Sequence, residues 1–179
     1  MALWFRNATD NPMPMSPMTT PDRWTATTLV IGIGNTLRGD DAAGYQVAEI
    51  VECWGLAGVR SRAVHQLTPD LAAEMAEVDR VIFVDVIALN AIPSDPQRSP
   101  ASPDPIIEML EPNSSSTFTG HYLDPRSLLF LSNVLYHQSP IAYQVLIPAI
   151  QFEFGEVLSA ITQQSVKLAV EKVHQLLVN

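Results

Sequence analysis

The chain has 179 residues, 47% of them hydrophobic and 16% charged, and this length predicts a single domain with one sizeable core. Its formal net charge of −9 argues against nucleic acid and anionic membrane surfaces as partners, because both require clustered cations. A single cysteine excludes a disulfide framework, and no apolar run approaches the roughly twenty residues of a membrane-spanning helix, so we expect an acidic, soluble, cytoplasmic protein.

Hydrophobic patterning predicts alternating strands and helices along most of the chain. In chain order, we expect a strand at 28–31, a helix at 41–54, a strand at 59–64, a helix opened by Thr68-Pro69, a strand at 80–86, an edge strand at 105–110, a helix at 124–135, a strand at 143–148 that Pro148 ends, and a helix at 158–178. The strand at 80–86 is apolar on both faces, which is typical of a parallel sheet covered by helices. The pattern therefore predicts an α/β fold, with helices on both faces of a mostly parallel sheet of about five strands.

Two stretches rich in proline interrupt this pattern. Residues 1–25 contain four of the fourteen prolines and lack the compact apolar run of a secretory signal. We interpret them as a disordered extension or a start codon assigned too early, with Met18 as the start; the alternative is a short docked arm that uses Trp4 and Phe5. Residues 91–117 contain six more prolines and predict an irregular loop within a domain that spans 26–179.

The segment after the first strand contains four glycines and two acidic residues, in the order Gly32-Ile33-Gly34-Asn35-Thr36-Leu37-Arg38-Gly39-Asp40-Asp41-Ala42-Ala43-Gly44. A dinucleotide-binding loop requires glycine where Leu37 stands, and two aspartates at the start of a helix would repel a pyrophosphate. One aspartate is explained by helix capping. The second is then free for another role.

Asp85 ends a strand that is otherwise wholly apolar, at the edge where the functional groups of parallel sheets gather. A carboxylate there must be hydrogen-bonded, paired or metal-bound, because burial of an unpaired charge is costly. Either His65, after the second strand, or His121, beside Gly120, is a candidate third ligand. Two carboxylates and one imidazole suit a first-row divalent metal. Nucleophilic catalysis is not supported, since no G-x-S-x-G motif occurs and Cys53 is predicted to be a small core residue.

The motif Gly32-x-Gly34-Asn35-x-Leu37-x-x-Asp40-Asp41-x-x-Gly44 resembles the N-terminal signature of the hydrogenase maturation endopeptidases. The resemblance continues through Asp79-Arg80-Val81-Ile82-Phe83-Val84-Asp85-Val86 and Gly120-His121, and it covers roughly residues 28 to 178. Members of this family remove a C-terminal extension from the large subunit of nickel hydrogenases after nickel has been loaded. The resemblance also implies a twisted, mostly parallel sheet flanked by helices.

Carried over by position, the resemblance implies that Asp41, Asp85 and His121 contact the metal. The nickel is contributed by the hydrogenase large-subunit precursor, so no permanently bound cofactor is expected, and Asp41 or Asp85 is the expected general base. The first metal contact is often glutamate in the family, and the shorter aspartate here leaves open whether Asp40 or Asp41 makes it. The tripeptide His65-Gln66-Leu67 is similar to that of the proteases serving bidirectional, NAD-linked hydrogenases.

Two other classes of function remain open at the level of sequence. One is a nickel-dependent hydrogenase chaperone that binds the precursor without cutting it, and a hydrogenase assembly chaperone is also a candidate partner. The other is a metallohydrolase that holds its own divalent metal, which elemental analysis of the resting protein would detect.

Overall fold

The structure is a computed structural model that describes residues 27–92, 99, 102–112 and 123–178. Within them, five strands form one sheet: Thr28–Ile33 (β1), Val59–Val64 (β2), Arg80–Ala88 (β3), Ile106–Leu110 (β4) and Ile141–Ala149 (β5). Their order across the sheet is β2-β1-β3-β5-β4, and every neighbouring pair is parallel except β4 and β5. The predicted mostly parallel sheet of about five strands and its edge strand near 105–110 are confirmed, and the structure adds that this edge strand is antiparallel to its neighbour.

Helices cover both faces of this sheet: Ala43–Cys53 (α1), Leu71–Met75 (α2), Pro125–Tyr136 (α3) and Ala160–Val178 (α4). Alternate strand residues point to opposite faces, so Leu29 and Phe83 pack against α2 and α3, whereas Val30 and Ile82 pack against α1 and α4. The result is two buried clusters, one on each side of the sheet. The predicted three-layer α/β architecture is confirmed.

The prediction that Pro148 ends its strand was wrong, since β5 continues to Ala149. Pro148 pairs in register with Ile87 of β3, but β4 pairs with β5 only as far as Leu146. Position 148 is thus open on the β4 side, and a residue that lacks an N–H is tolerated where no second ladder is present. The carbonyl of Pro148 accepts a hydrogen bond from Thr162 Oγ1 at 3.0 Å, which ties the end of β5 to α4.

Parts of three predictions lie outside the described residues. These are the N-terminal stretch 1–25, residues 93–98, 100–101 and 113–117 of the proline-rich stretch, and His121. In the described part of that stretch, β4 follows a short 3-10 helix at Leu89–Ala91. No helix in the described ranges is both long and apolar enough to cross a membrane.

Candidate functional site

Asp85 lies where β3 loses one of its two neighbours. The pairing of β1 with β3 ends at Gly32 and Val84, whereas β3 and β5 stay paired from Asp85–Leu146 to Ala88–Ala149. The prediction that Asp85 ends its strand was therefore wrong by three residues. The 3-10 helix Gly39–Ala42, which precedes α1, contacts β3 and carries Asp40 and Asp41.

Glycines allow α1 to begin directly against the ends of the strands. A Cβ atom on Gly44 would lie 2.4 Å from the carbonyl oxygens of both Ile33 and Val84, and one on Gly34 would lie 1.9 Å from the carbonyl oxygen of Asp41. Any larger residue at these two positions would push the helix away from the sheet. The glycine-rich segment thus sets the distance between Asp41 and β3.

Asp40 is an internal anchor. Its side chain is fully buried, and its Oδ2 accepts hydrogen bonds at 2.9 Å from the N–H groups of Ile150 and Gln151. Ser159 donates its N–H to Oδ1 at 2.6 Å and its hydroxyl to Oδ2 at 2.8 Å. Burial acts to raise the pKa of the Asp40 carboxyl, but these hydrogen bonds outweigh burial and the net pKa is lowered. Both oxygens are therefore committed to holding the β5–α4 loop.

Asp41 has a different environment from Asp40. It is only partly buried, and its Oδ2 accepts one hydrogen bond, at 3.1 Å, from the N–H of Asn35. Its negative charge acts on Asp85, which places the two carboxylates within electrostatic reach of one another. Of the two neighbouring aspartates, Asp41 is the one whose charge acts on Asp85.

Asp85 is a carboxyl group held in an unfavourable place for a charge. Burial raises its pKa to about 6, the N–H of Val86 lowers it in part by donating to Oδ1 at 2.7 Å, and the charge of Asp41 adds to the increase. At neutral pH most molecules have this carboxyl group ionised, so its negative charge and that of Asp41 repel each other. Such a pair favours a bound cation, or a proton shared between the two groups.

The histidines add no third group to this pair within the described residues. His65 follows β2 and is exposed, and the described ranges contain no group of three or more His, Cys, Asp or Glu that could hold a metal ion. His121 lies outside those ranges, so its role stays a prediction. Cys53 is exposed rather than buried, because it occupies the last turn of α1, and its predicted place in the core was wrong.

Sequence analysis did not identify the loop between β5 and α4 as part of this region. The loop reaches the turn after β1 through main-chain hydrogen bonds of Gly155, which donates to Leu37 at 3.0 Å and accepts from Gly39 at 2.7 Å. The sequence offered one signal for this loop. Ser159 lies at the start of a predicted helix, and a serine there either caps the helix or bonds to a carboxylate elsewhere in the chain.

Comparison with solved structures finds the same fold in hydrogenase maturation proteases. The NiFe hydrogenase maturation protease HycI from Thermococcus kodakarensis is 19% identical, with a TM-score of 0.63 and coverage of 86% of this chain and 94% of that chain. The hydrogenase maturating endopeptidase HybD from E. coli is 20% identical, with a TM-score of 0.61 and coverage of 84% and 91%. HybD from T. kodakarensis is 19% identical, with a TM-score of 0.59 and coverage of 84% and 98%.

These similarities establish a shared fold over nearly the whole length of those proteins. The family resemblance predicted from the glycine and aspartate motifs is thus confirmed at the level of fold, while the NAD-linked subtype stays a prediction. The chain matches no protein-family model and no curated protein.

Proposed function

We propose that this protein is an endopeptidase that removes the C-terminal extension of a nickel-loaded hydrogenase large-subunit precursor. The observation that carries the proposal is the partly buried Asp85, on which the charge of Asp41 acts, at the point where β1 stops pairing with β3, in the fold of the hydrogenase maturation proteases. A cytoplasmic location and a hydrogenase assembly chaperone as a further partner belong to the same proposal.

The carboxylate pair suits the nickel already bound in the precursor. A divalent cation between Asp41 and Asp85 would relieve their mutual repulsion, and oxygen and imidazole ligands are compatible with Ni²⁺. In this proposal His121 supplies the imidazole, as the family resemblance implies. An unloaded precursor would bind poorly, so that nickel serves as the mark of a substrate ready for cleavage.

Asp85 is also suited to act as the general base. Its carboxyl group is ionised at neutral pH, and a bound cation would hold it in that form, so an oxygen that does not face the cation is available to accept a proton. It would take a proton from the water that attacks the scissile carbonyl, and the proton would pass to the departing amine as the peptide bond breaks. Asp40 takes no part in this step, because its oxygens are fully hydrogen-bonded.

The test is mass spectrometry of a cognate large-subunit precursor, nickel-loaded and nickel-free, after incubation with the protein. Wild type should remove a C-terminal peptide from the loaded form only. Asp41→Asn and Asp85→Asn should each slow cleavage by about 100-fold or more, the scale expected for loss of an acid–base group. Asp70→Asn is the matched control, because Asp70 is exposed and forms no capping hydrogen bond to α2.

The possible outcomes distinguish the candidate functions from one another. Cleavage of both precursor forms would retain the peptidase and eliminate nickel as the recognition mark. Binding of the loaded precursor without cleavage would favour a chaperone. Stoichiometric metal in the purified protein would instead indicate a metallohydrolase with its own metal.

A further inference from the structure

An exposed apolar surface lies beside the candidate active site, on the β5–α4 loop that Asp40 anchors and on the turn after β1. Four large apolar side chains form it, and their exposed fractions are 54% for Leu37, 56% for Ile150, 88% for Phe154 and 71% for Val157. We refer to these four residues as the Phe154 surface. Single exposed apolar residues are ordinary on a protein, but a cluster on two adjoining loops marks an interaction site.

The backbone that presents this surface is firmly held. Gly155 bonds to Leu37 and to Gly39, the N–H of Asp40 donates to the carbonyl of Gln151 at 2.8 Å, and Arg38 Nε donates to the carbonyl of Phe152 at 3.2 Å. The Asp40 carboxylate adds four further hydrogen bonds to the same loop and to the start of α4. An apolar surface on an anchored loop is preorganised for binding, because little conformational freedom remains to be lost.

The turn that carries Leu37 is hydrogen-bonded to the candidate active site. Leu37 donates its N–H to Asn35 Oδ1 at 3.0 Å, and the N–H of Asn35 in turn donates to Asp41. One turn of chain therefore carries both an edge of the Phe154 surface and a member of the carboxylate pair. A partner seated on the surface would bring its adjoining chain toward Asp41 and Asp85.

The charges around the surface specify the chemistry of that partner. Glu153 and Glu156 flank Phe154 in sequence and are exposed, and the whole chain has a net charge of −9. Arg38 is the cation on the facing loop, and its Nε–H is bonded to the carbonyl of Phe152. An apolar segment with adjacent Lys or Arg residues would bury its side chains against Phe154 while its cations face the two glutamates.

We propose that the Phe154 surface is the docking site for the large-subunit precursor, which it engages through an apolar segment flanked by basic residues. This inference rests on the proposed function, and it assigns substrate recognition to a surface separate from the metal-binding carboxylates. Docking there positions the scissile region at the carboxyl edge of the sheet, and it is independent of the contacts made to nickel.

The experiment compares Phe154→Ser and Val157→Ser with wild type, using the full chain and the nickel-loaded precursor. Initial rates of cleavage give KM and kcat, and biolayer interferometry on the immobilised precursor gives binding whether or not cleavage occurs. Leu135→Ser is the matched control, because Leu135 is 56% exposed on α3 and lies outside the site. All three side chains are exposed, so thermal unfolding should be unchanged in every variant.

We expect Phe154→Ser to raise KM and the dissociation constant about tenfold or more with kcat nearly unchanged, since buried aromatic residues dominate interfaces. Glu153→Gln combined with Glu156→Gln should slow association and reduce its dependence on salt. If wild type binds the precursor without cleaving it, and Phe154→Ser binds it more weakly, the docking site is supported and the endopeptidase activity is rejected. If wild type cleaves the precursor and both serine variants give KM and dissociation constants within twofold of wild type, the docking site is overturned and the proposed function is retained. Absence of wild-type binding would overturn both.

Discussion

Asp40 and Asp41 are neighbours in the chain, yet their carboxylates have opposite roles. The motif predicted that one would cap the helix and the other would be free, but the capping role was wrong: neither the 3-10 helix nor α1 has a side-chain hydrogen bond at its N-cap, and Asp40 holds a distant loop instead. That role depends on donors that are distant in sequence: Ile150, Gln151 and Ser159 lie more than a hundred residues from Asp40. The local sequence pattern identifies a pair of carboxylates. Which of the two is anchored depends on tertiary contacts with residues that are distant in the chain.

The anchoring role of Asp40 predicts a large cost on removal of its charge. In Asp40→Asn, an amide N–H₂ replaces an oxygen that accepts from backbone donors, and we expect the free energy of unfolding to fall by about 3 kcal/mol or more. Ser159→Ala, which loses only the hydroxyl, should cost about 1 kcal/mol. Urea denaturation at pH 7 measures both, and equal losses in the two variants would contradict the anchor.

The same substitution has a pH signature. The pKa of Asp40 is lower in the folded state than in the unfolded chain, so its charge stabilises the fold above the unfolded value of about 3.9, and this contribution is lost as pH falls through the folded pKa. The difference in stability between wild type and Asp40→Asn should therefore be largest near neutral pH and shrink on acidification.

Asp85 predicts the reverse dependence on pH. Its folded pKa of about 6 exceeds the unfolded value of about 3.9, so the folded state binds the extra proton and stability falls as pH rises between these values. Asp85→Asn removes that loss. Relative to wild type, the variant should gain about 2 kcal/mol in unfolding free energy between pH 4 and pH 7. Parallel curves of stability against pH for wild type and Asp85→Asn would contradict the raised pKa of Asp85. Asp70→Asn serves as the control.

At the scale of elements, the sequence was most informative where periodicity and breakers agree. The bounds of β2 and the position of α3, which begins with Asp124 accepting from the Ser127 N–H at 2.9 Å and with Pro125 in its first turn, follow from local rules. The ends of β3 and β5 do not, because each strand runs on as long as its neighbour supplies a ladder. Asp85 and Pro148 were both placed too near a strand end for this reason.

The seating of α1 gives a prediction at the same scale. Gly44→Ala would place a methyl group 2.4 Å from two backbone carbonyl oxygens, which cannot move without shifting β1 or β3. We expect a loss of about 3 kcal/mol or more in unfolding free energy, together with a slower cleavage rate as Asp41 moves away from Asp85. Gly155→Ala is the control for stability, since a Cβ there meets no atom within 4 Å. A Gly44→Ala protein as stable as wild type would show that α1 can shift freely.

At the scale of the whole molecule, the site depends on segments that are far apart in the chain. The turn after β1, the middle of β3 and the loop before α4 meet only when the sheet is assembled. The sheet edge and Asp85 were predicted because a general rule places functional groups at the carboxyl ends of parallel strands. Asp41 was carried over from the family resemblance, which left Asp40 as the alternative. Sequence analysis could not predict the Phe154 surface, since no periodicity distinguishes an exposed apolar loop residue from a buried one.

The interpretation of residues 1–25 as an extension of the domain gives a prediction for a shortened chain. Side chains of the sheet and of the helices on its two faces form the two buried clusters. A chain that begins at Met18 should therefore unfold within about 2 °C of the full chain, because a shift of 1 kcal/mol corresponds to a few degrees for a domain of this size. It should also cleave the nickel-loaded precursor with the same KM and kcat. Calorimetry and initial rates on the two chains test this, and a decrease of 5 °C or more would mean that residues 1–17 pack against the domain.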